Sequence, residues 1–184
     1  MASNGKWWKE RQSLHLVLTV NPLNKCNCTR YHILGVDIIA LIDSKPAKQV
    51  VLVSQFRPPL DAHCLEFPAG LITEAAETPI TAAMRELEEE TGYFGYEAEL
   101  IDELIFLDPG VSNCNMKYVK IKIDPNDPRN IDPKPNFQDE EMIRTHLLPF
   151  DANLYDSLLI LCKRYDFVLD ARLASVALGM KLLQ

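Results

Sequence analysis

The chain has 184 residues, of which 47% are hydrophobic and 24% charged, and this composition is typical of an ordinary globular domain. Its formal net charge of −7 argues against a nucleic-acid-binding protein, because such binding depends on clustered Lys and Arg. Residues 1–8 lack the apolar core of a secretory signal, and no apolar run approaches the roughly 20 residues that cross a bilayer. We therefore expect a cytoplasmic protein, with the nucleus as a second compartment, and no membrane partner.

The five cysteines are odd in number and scattered, which favours reduced thiols over a disulfide framework. Cys26 and Cys28 are the one close pair, and His32 is their neighbour. A zinc site there would need further ligands, so the interpretation as an ordinary loop is preferred.

Apolar runs bounded by turn residues predict strands in both halves of the chain. A Pro-, Asp- and Asn-rich loop at 124–136 separates the last two of them. The predicted strands cover residues 14–20, 33–42, 49–56, 100–107, 116–123 and 142–148.

Three further segments, 79–91, 153–165 and 170–183, follow a helical period. Thr78 is the expected N-cap of the first helix and Gly92 its C-terminal stop. Its predicted apolar face is formed by Ile80, Ala83, Met84 and Leu87. Mixed strands with a few helices packed on them predict an α+β or layered αβα domain.

Four carboxylates crowd the end of the first predicted helix, in the segment 85–90, close to the negative end of the helix dipole. Glu86, Glu89 and Glu90 share a face, so their oxygens can converge on one hard cation. Arg85 can pair with Glu89 at the i, i+4 spacing. The alternative is a solvated acidic helix face, which is the commoner fate of such runs.

Together with its flanks, this segment resembles the Nudix box, G-x5-E-x7-R-E-U-x-E-E-x-G-U, in which U is apolar. One extra residue stands before the glutamate that precedes the helix. This insertion lies in a loop, so it leaves the direction of the helix carboxylates unchanged. The matching positions are Gly70, Glu77, Arg85, Glu86, Leu87, Glu89, Glu90, Gly92 and Tyr93.

The resemblance extends from about residue 33 to residue 182 and is strongest to the ADP-sugar pyrophosphatase branch of the family. It includes Asp108-Pro109-Gly110, where the proline stands at the position that marks ADP-ribose hydrolases, and Asp170-Ala171-Arg172. It implies a Nudix fold over residues 33–184, an α+β domain whose mixed β-sheet is packed between helices as an αβα sandwich. The implied activity is hydrolysis of the pyrophosphate of ADP-ribose to AMP and ribose 5-phosphate.

The resemblance also implies a magnesium site, in which manganese can substitute. Glu86, Glu90 and the backbone carbonyl of Ala69 would bind the catalytic ion, and Glu89 would ligate a further ion or orient the site. Glu66 and Glu77 are additional candidates for this metal shell. For Glu77, a capping or salt-bridge role is equally consistent with the sequence.

Five other residues match positions that bind substrate in the family. Arg57 would contact the diphosphate, unless it merely closes a surface ion pair, and Leu71 and Asp108 would line the substrate, the aspartate holding a ribose hydroxyl. Glu141 is the candidate general base, with Glu140 as its alternative. Trp7 would stack on adenine.

Residues 1–32 form a shortened N-terminal segment in this comparison. The family exchanges N-terminal strands in a homodimer, so Trp7 would reach the partner subunit, and simple packing is its alternative role. No counterpart of a second stacking tryptophan is present, which predicts weaker substrate binding by tenfold or more if one stacking contact is worth about 1 to 3 kcal/mol. Two other functions remain open: a Nudix diphosphatase for other nucleoside diphosphates such as oxidised guanine nucleotides, and a catalytically impaired ADP-ribose-binding protein.

Overall fold

The computed structural model describes residues 33–73, 76–136 and 142–183, so the predicted strand at 14–20 lies outside the described residues. Short 3-10 helices cover Pro58–Leu60 and Pro128–Asn130. None of the described helices is long and apolar enough to cross a membrane. The strands and helices are β1 (Gly35–Ile42), β2 (Gln49–Arg57), β3 (Ala62–Glu66), β4 (Ala69–Leu71), α1 (Pro79–Thr91), β5 (Glu97–Phe106), β6 (Asn115–Ile123), β7 (Arg144–Pro149), α2 (Leu154–Tyr165), β8 (Val168–Leu169) and α3 (Ala171–Leu182).

The described strands form one mixed sheet in the order β5-β6-β1-β2-β3-β8, with β4 paired to β1 and β7 paired to β2. β1 runs parallel to β6 and antiparallel to β2. β1 and β2 pair only at their hairpin end, where Leu41 and Ile42 face Val50 and Gln49. At its other end, Gly35–Asp37 pairs with β4 instead. The chain that leads into α1 is thereby held against the start of β1.

Alternation along β1 sends its side chains into two separate cores, because successive residues of a strand point to opposite faces of the sheet. Val36 and Ile38 are fully buried and pack with Leu87 of α1. Leu41 packs on the other face with Leu158 of α2 and with α3. The predicted αβα sandwich, a mixed sheet between helices, is confirmed.

Helix α1 begins and ends where the sequence predicts. The Thr78 hydroxyl oxygen accepts the N–H of Thr81 at 3.1 Å, and the N–H of Gly92 donates to the Glu88 carbonyl at 2.8 Å. Gly92 has φ of 74°, a left-handed conformation that favours glycine at a helix end.

The predicted apolar face of α1 is wrong at one position. Ile80 in the first turn is 38% exposed, and Ala82 is fully buried in its place. Ala82 and Ala83 are both fully buried in the core with Leu87, so the side of α1 that carries these residues is the side packed against the sheet. Glu90 consequently lies on the buried side, one turn after Leu87, rather than on a solvated face.

Candidate active site

Arg85 lies among the glutamates of α1 and bonds to several of them. Its Nε donates to Glu77 at 3.0 Å, and its Nη1 donates to Glu86 at 2.7 Å and to Glu89 at 3.1 Å. Its Nη2 donates to the Leu71 carbonyl at 3.2 Å. The predicted pair between Arg85 and Glu89 is confirmed. One guanidinium therefore gathers three carboxylates and ties α1 to the end of β4.

Glu77 closes the loop that leads into α1. One of its carboxylate oxygens accepts the N–H of Thr73 at 3.1 Å, and the hydrogen bond from Arg85 lowers the pKa of its carboxyl group. The sequence left metal ligation and a salt bridge open for this residue. The structure places it in the salt bridge with Arg85, where it also bonds to Thr73.

Glu86 lies directly against the backbone of Gly70. A Cβ atom at position 70 would fall well inside contact distance of the Glu86 carboxylate, so this position needs the room that only glycine leaves. Burial raises the pKa of Glu86, the hydrogen bond from Arg85 opposes the rise, and the charges of Glu89 and Glu77 add to it. The carboxylate is thus held in a crowded, negatively charged place.

Glu90 reaches back from the last turn of α1 to the start of β4. Glu90 is only 8% exposed, and its Oε2 accepts the N–H of Ala69 at 3.2 Å. Ala69, Glu86, Glu89 and Glu90, the residues predicted to hold metal, are therefore brought together beside Gly70. Their ligation of a metal stays a prediction.

In the conformation described, no three His, Cys, Asp or Glu side chains of residues 33–73, 76–136 and 142–183 are arranged to hold a metal ion. The reason is visible in the contacts, since Arg85 holds Glu86 and Glu89 while Glu90 bonds to Ala69. The donor chemistry nevertheless fits a hard divalent cation, which prefers carboxylate and carbonyl oxygens. Arg85 holds Oε1 of Glu86 and Oε2 of Glu89, so a cation that used either of these oxygens would have to displace the guanidinium.

Arg57, at the end of β2, pairs with a buried carboxylate. Its Nε donates to Glu66 Oε1 at 2.9 Å, and its Nη2 lies 2.9 Å from the same oxygen. Glu66 is 3% exposed, whereas 42% of the Arg57 side chain is exposed. Burial raises the pKa of Glu66 and the hydrogen bond from Arg57 opposes the rise. The ion pair that the sequence left open is present, and part of the guanidinium still faces solvent.

A model of the NUDIX domain matches residues 31–158, which include β1 to β7 and all of α1. The chain belongs to the Nudix family. The resemblance that the residues indicated is therefore confirmed, and α1 is the helix of the Nudix box.

Several curated proteins are similar to this Nudix chain. The ADP-sugar pyrophosphatase of Mus musculus is 43% identical over 132 residues, which are 72% of this chain and 59% of that protein. The ADP-ribose pyrophosphatase of Saccharomyces cerevisiae is 35% identical over 150 residues, 79% of this chain and 62% of that protein. An uncharacterized Nudix hydrolase of Schizosaccharomyces pombe is 36% identical over 146 residues, 79% of this chain and 69% of that protein. The chain spans about three fifths of the length of the first two.

The predicted substrate residues fall in different places relative to the Nudix helix. Leu71 is exposed at the end of β4, and its carbonyl is bound by Arg85. Asp108 belongs to an exposed turn after β5, where its carbonyl accepts the N–H of Ser112 at 2.8 Å. Trp7, Glu140 and Glu141 lie outside the described residues, so their roles stay predictions.

A buried charged cluster beneath the Nudix site was not predicted. Arg172, at the start of α3, donates from Nη1 to both oxygens of Asp37 on β1, at 2.9 and 3.0 Å. Its Nε and Nη2 donate to Asp170, the N-cap of α3. Asp37 is fully buried, and burial raises its pKa to about 7 although the charge of Arg172 opposes the rise. Two signals were available: the single carboxylate inside the apolar strand that reads GVDIIALI, and the segment Asp170-Ala171-Arg172, which the resemblance already included.

Proposed function

We propose that this Nudix protein hydrolyses the pyrophosphate bond of ADP-ribose or a related ADP-sugar, releasing AMP and, from ADP-ribose, ribose 5-phosphate. The observation that carries the proposal is the gathering of Glu86, Glu89 and Glu90 beside Ala69 and Gly70 on the helix of the Nudix box. The substrate class is supported by two relatives whose names are ADP-sugar pyrophosphatase and ADP-ribose pyrophosphatase.

In this proposal, Glu86, Glu90 and the carbonyl of Ala69 hold a magnesium ion, which manganese can replace, and Glu89 ligates a further ion or orients the site. The bound cation supplies neutralisation of the diphosphate charge and a lowered pKa of the attacking water. Arg85 keeps Glu86 and Glu89 in place while the ion is absent, because it bonds to both.

Arg57 is suited to the diphosphate. Its planar guanidinium can bond two phosphate oxygens at once, which the point charge of a lysine cannot do. Because Glu66 binds Nε and Nη2, the orientation of the group is set before substrate arrives. Ordering a free arginine side chain would otherwise weaken binding.

The remaining roles complete the proposed site. Leu71 lines the substrate, and Asp108 holds a ribose hydroxyl. Glu141 accepts a proton from the attacking water, with Glu140 as its alternative. Trp7 stacks on adenine in a homodimer.

A direct test follows AMP formation from ADP-ribose and magnesium by chromatography. We expect the parent protein to release AMP, and a Glu86→Gln, Glu90→Gln double variant to release about 1,000-fold less, because each of the two charge-bearing groups contributes about 2 kcal/mol or more. Glu99→Gln is the matched control, since Glu99 pairs with Lys120 on the exposed side of β5 and β6.

The same assay separates the proposal from its alternatives. A panel of nucleoside diphosphates, including oxidised guanine nucleotides, tests for a different Nudix substrate. Faster hydrolysis of another member of the panel than of ADP-ribose would identify that substrate. Binding of ADP-ribose by a folded parent without AMP release would identify an impaired binding protein and overturn the proposed hydrolysis.

A further inference from the structure

The Glu66 carboxylate is shared between two arginines from distant parts of the chain. Its Oε1 accepts the hydrogen bond of Arg57 at 2.9 Å, and its Oε2 lies 3.9 Å from Nη2 of Arg172. The two guanidiniums therefore stand on opposite oxygens of one buried carboxylate. Arg57 lies on the exposed side of this carboxylate and Arg172 on the more buried side.

Arg172 is itself fixed on several sides. It donates two hydrogen bonds to Asp37 on β1 and three to the side chain of Asp170, and its Nη1 also lies 3.0 Å from the sulfur of Met116. Burial opposes its charge, yet the carboxylates of Asp170, Asp37 and Glu66 outweigh burial and keep its pKa above the usual range. Arg172 is thus a permanently charged group held by β1 and by the start of α3.

This arrangement has a consequence for Glu66. Arg172 attracts Oε2 of this carboxylate across 3.9 Å, an ion-pair distance beyond hydrogen-bond length, while Arg57 holds Oε1, so the two cations act on opposite oxygens. Glu66 in turn holds the guanidinium of Arg57, which is otherwise a long, half-exposed side chain. The carboxylate that holds Arg57 is thus itself within ion-pair distance of Arg172.

We propose that Arg172 is a positioning residue for substrate binding: it fixes Glu66, and through Glu66 it aims Arg57 at the diphosphate. The inference rests on the proposed function in one respect, that Arg57 meets the diphosphate. Arg172 itself lies behind Glu66 and acts through it.

The test replaces Arg172 by lysine, which keeps the charge and loses the fork that reaches three carboxylates. We expect KM for ADP-ribose to rise about tenfold, the weight of one charge-assisted hydrogen bond, with kcat within about twofold of the parent. Arg129→Lys is the matched control. Arg129 also follows its aspartate by two residues and bonds to it, but on an exposed 3-10 helix.

A double-mutant cycle distinguishes positioning from a general loss of structure. In an Arg57→Ala background, Arg172→Lys should leave KM unchanged, because the group that it aims is absent. An equal rise of KM in both backgrounds would overturn the proposal, as would a fall in kcat with KM unchanged.

A readout without turnover keeps this inference separate from the proposed function. In 15N NMR spectra, Nε–H of Arg57 should exchange with water slowly in the parent and at least about tenfold faster in Arg172→Lys, because its acceptor has lost its second anchor. Slow exchange in both proteins refutes the positioning role even if ADP-ribose is hydrolysed. Absence of hydrolysis with the expected change in exchange refutes only the substrate.

If circular dichroism shows that Arg172→Lys does not fold, Asp170→Asn takes its place. Asparagine keeps the N-cap acceptor of α3 and removes one charge that holds Arg172. The exchange of the Arg57 Nε–H should then change in the same direction by a smaller factor. Unchanged exchange in this variant overturns the proposal.

Discussion

Replacement of Gly70 by alanine should disable the active site while leaving the fold nearly intact. The three nearest atoms to a Cβ at this position all belong to the Glu86 carboxylate and its neighbouring carbon, all well under 3.0 Å away. They are the far end of a flexible side chain, so Glu86 can swing away without movement of the backbone. Gly70 does not have a positive φ, and thus alanine introduces no backbone strain.

The size of the effect follows from this displacement. Glu86 must move by at least about 1 Å, and a misplacement of that order costs about 100-fold in rate. Stability should change by less than about 1 kcal/mol, because the lost pair between Glu86 and Arg85 is partly exposed to solvent.

The assay measures kcat/KM for ADP-ribose across a magnesium titration, together with urea unfolding. Gly179→Ala is the control, because nothing lies within 4 Å of a Cβ at position 179. It should leave activity unchanged and stabilise α3 by about 0.5 to 1 kcal/mol. A folded Gly70→Ala protein whose kcat/KM is within about threefold of the parent would contradict the displacement of Glu86, from which we expect a loss of about 100-fold.

Three other perturbations have defined outcomes. Leu87→Ala removes a fully buried side chain between α1 and the sheet and should lower the free energy of unfolding in urea by about 2 to 5 kcal/mol. Gly92→Ala puts a side chain at φ of 74° and against the backbone of Lys134, so it should lower that free energy by at least about 1 to 2 kcal/mol. Burial lowers the pKa of His146 in the folded protein below 6.5, and the charge of Arg144 adds to this. The unfolded chain therefore takes up the proton first as pH falls below 6.5, and stability drops in that window. His146→Gln should weaken this dependence in unfolding curves at pH 7 and pH 5, and an unaltered difference between the two curves would contradict the assignment.

The ends of α1 could be predicted from the sequence because they depend on local chemistry. Thr78 supplies a side-chain acceptor, Pro79 has no N–H to lose, and Gly92 adopts the left-handed conformation, so both ends depend on neighbouring residues alone. The pair between Arg85 and Glu89 was predictable for the same reason, since one helical turn separates them.

Features that depend on distant partners were not predictable. β4 has three residues and exists as a strand because β1, more than thirty positions earlier, pairs with it. The ion pair of Asp37 with Arg172 joins residues 135 positions apart. Ile80 had the right spacing for the apolar face, but Ala82 and Ala83 are the residues of that part of α1 that the sheet buries.

Arg85 provides α1 with a positive charge of its own beside the glutamates of the Nudix box. Without a metal ion, the carboxylates of Glu77, Glu86 and Glu89 still pair with this one guanidinium, whose single positive charge offsets part of their combined negative charge. Under the proposed function, removal of magnesium by a chelator should stop hydrolysis while these ion pairs of α1 remain. An ion that used an oxygen held by Arg85 would compete with this intramolecular partner, and the competition would weaken its apparent affinity. We therefore expect the divalent ion of the proposed site to exchange reversibly with solution.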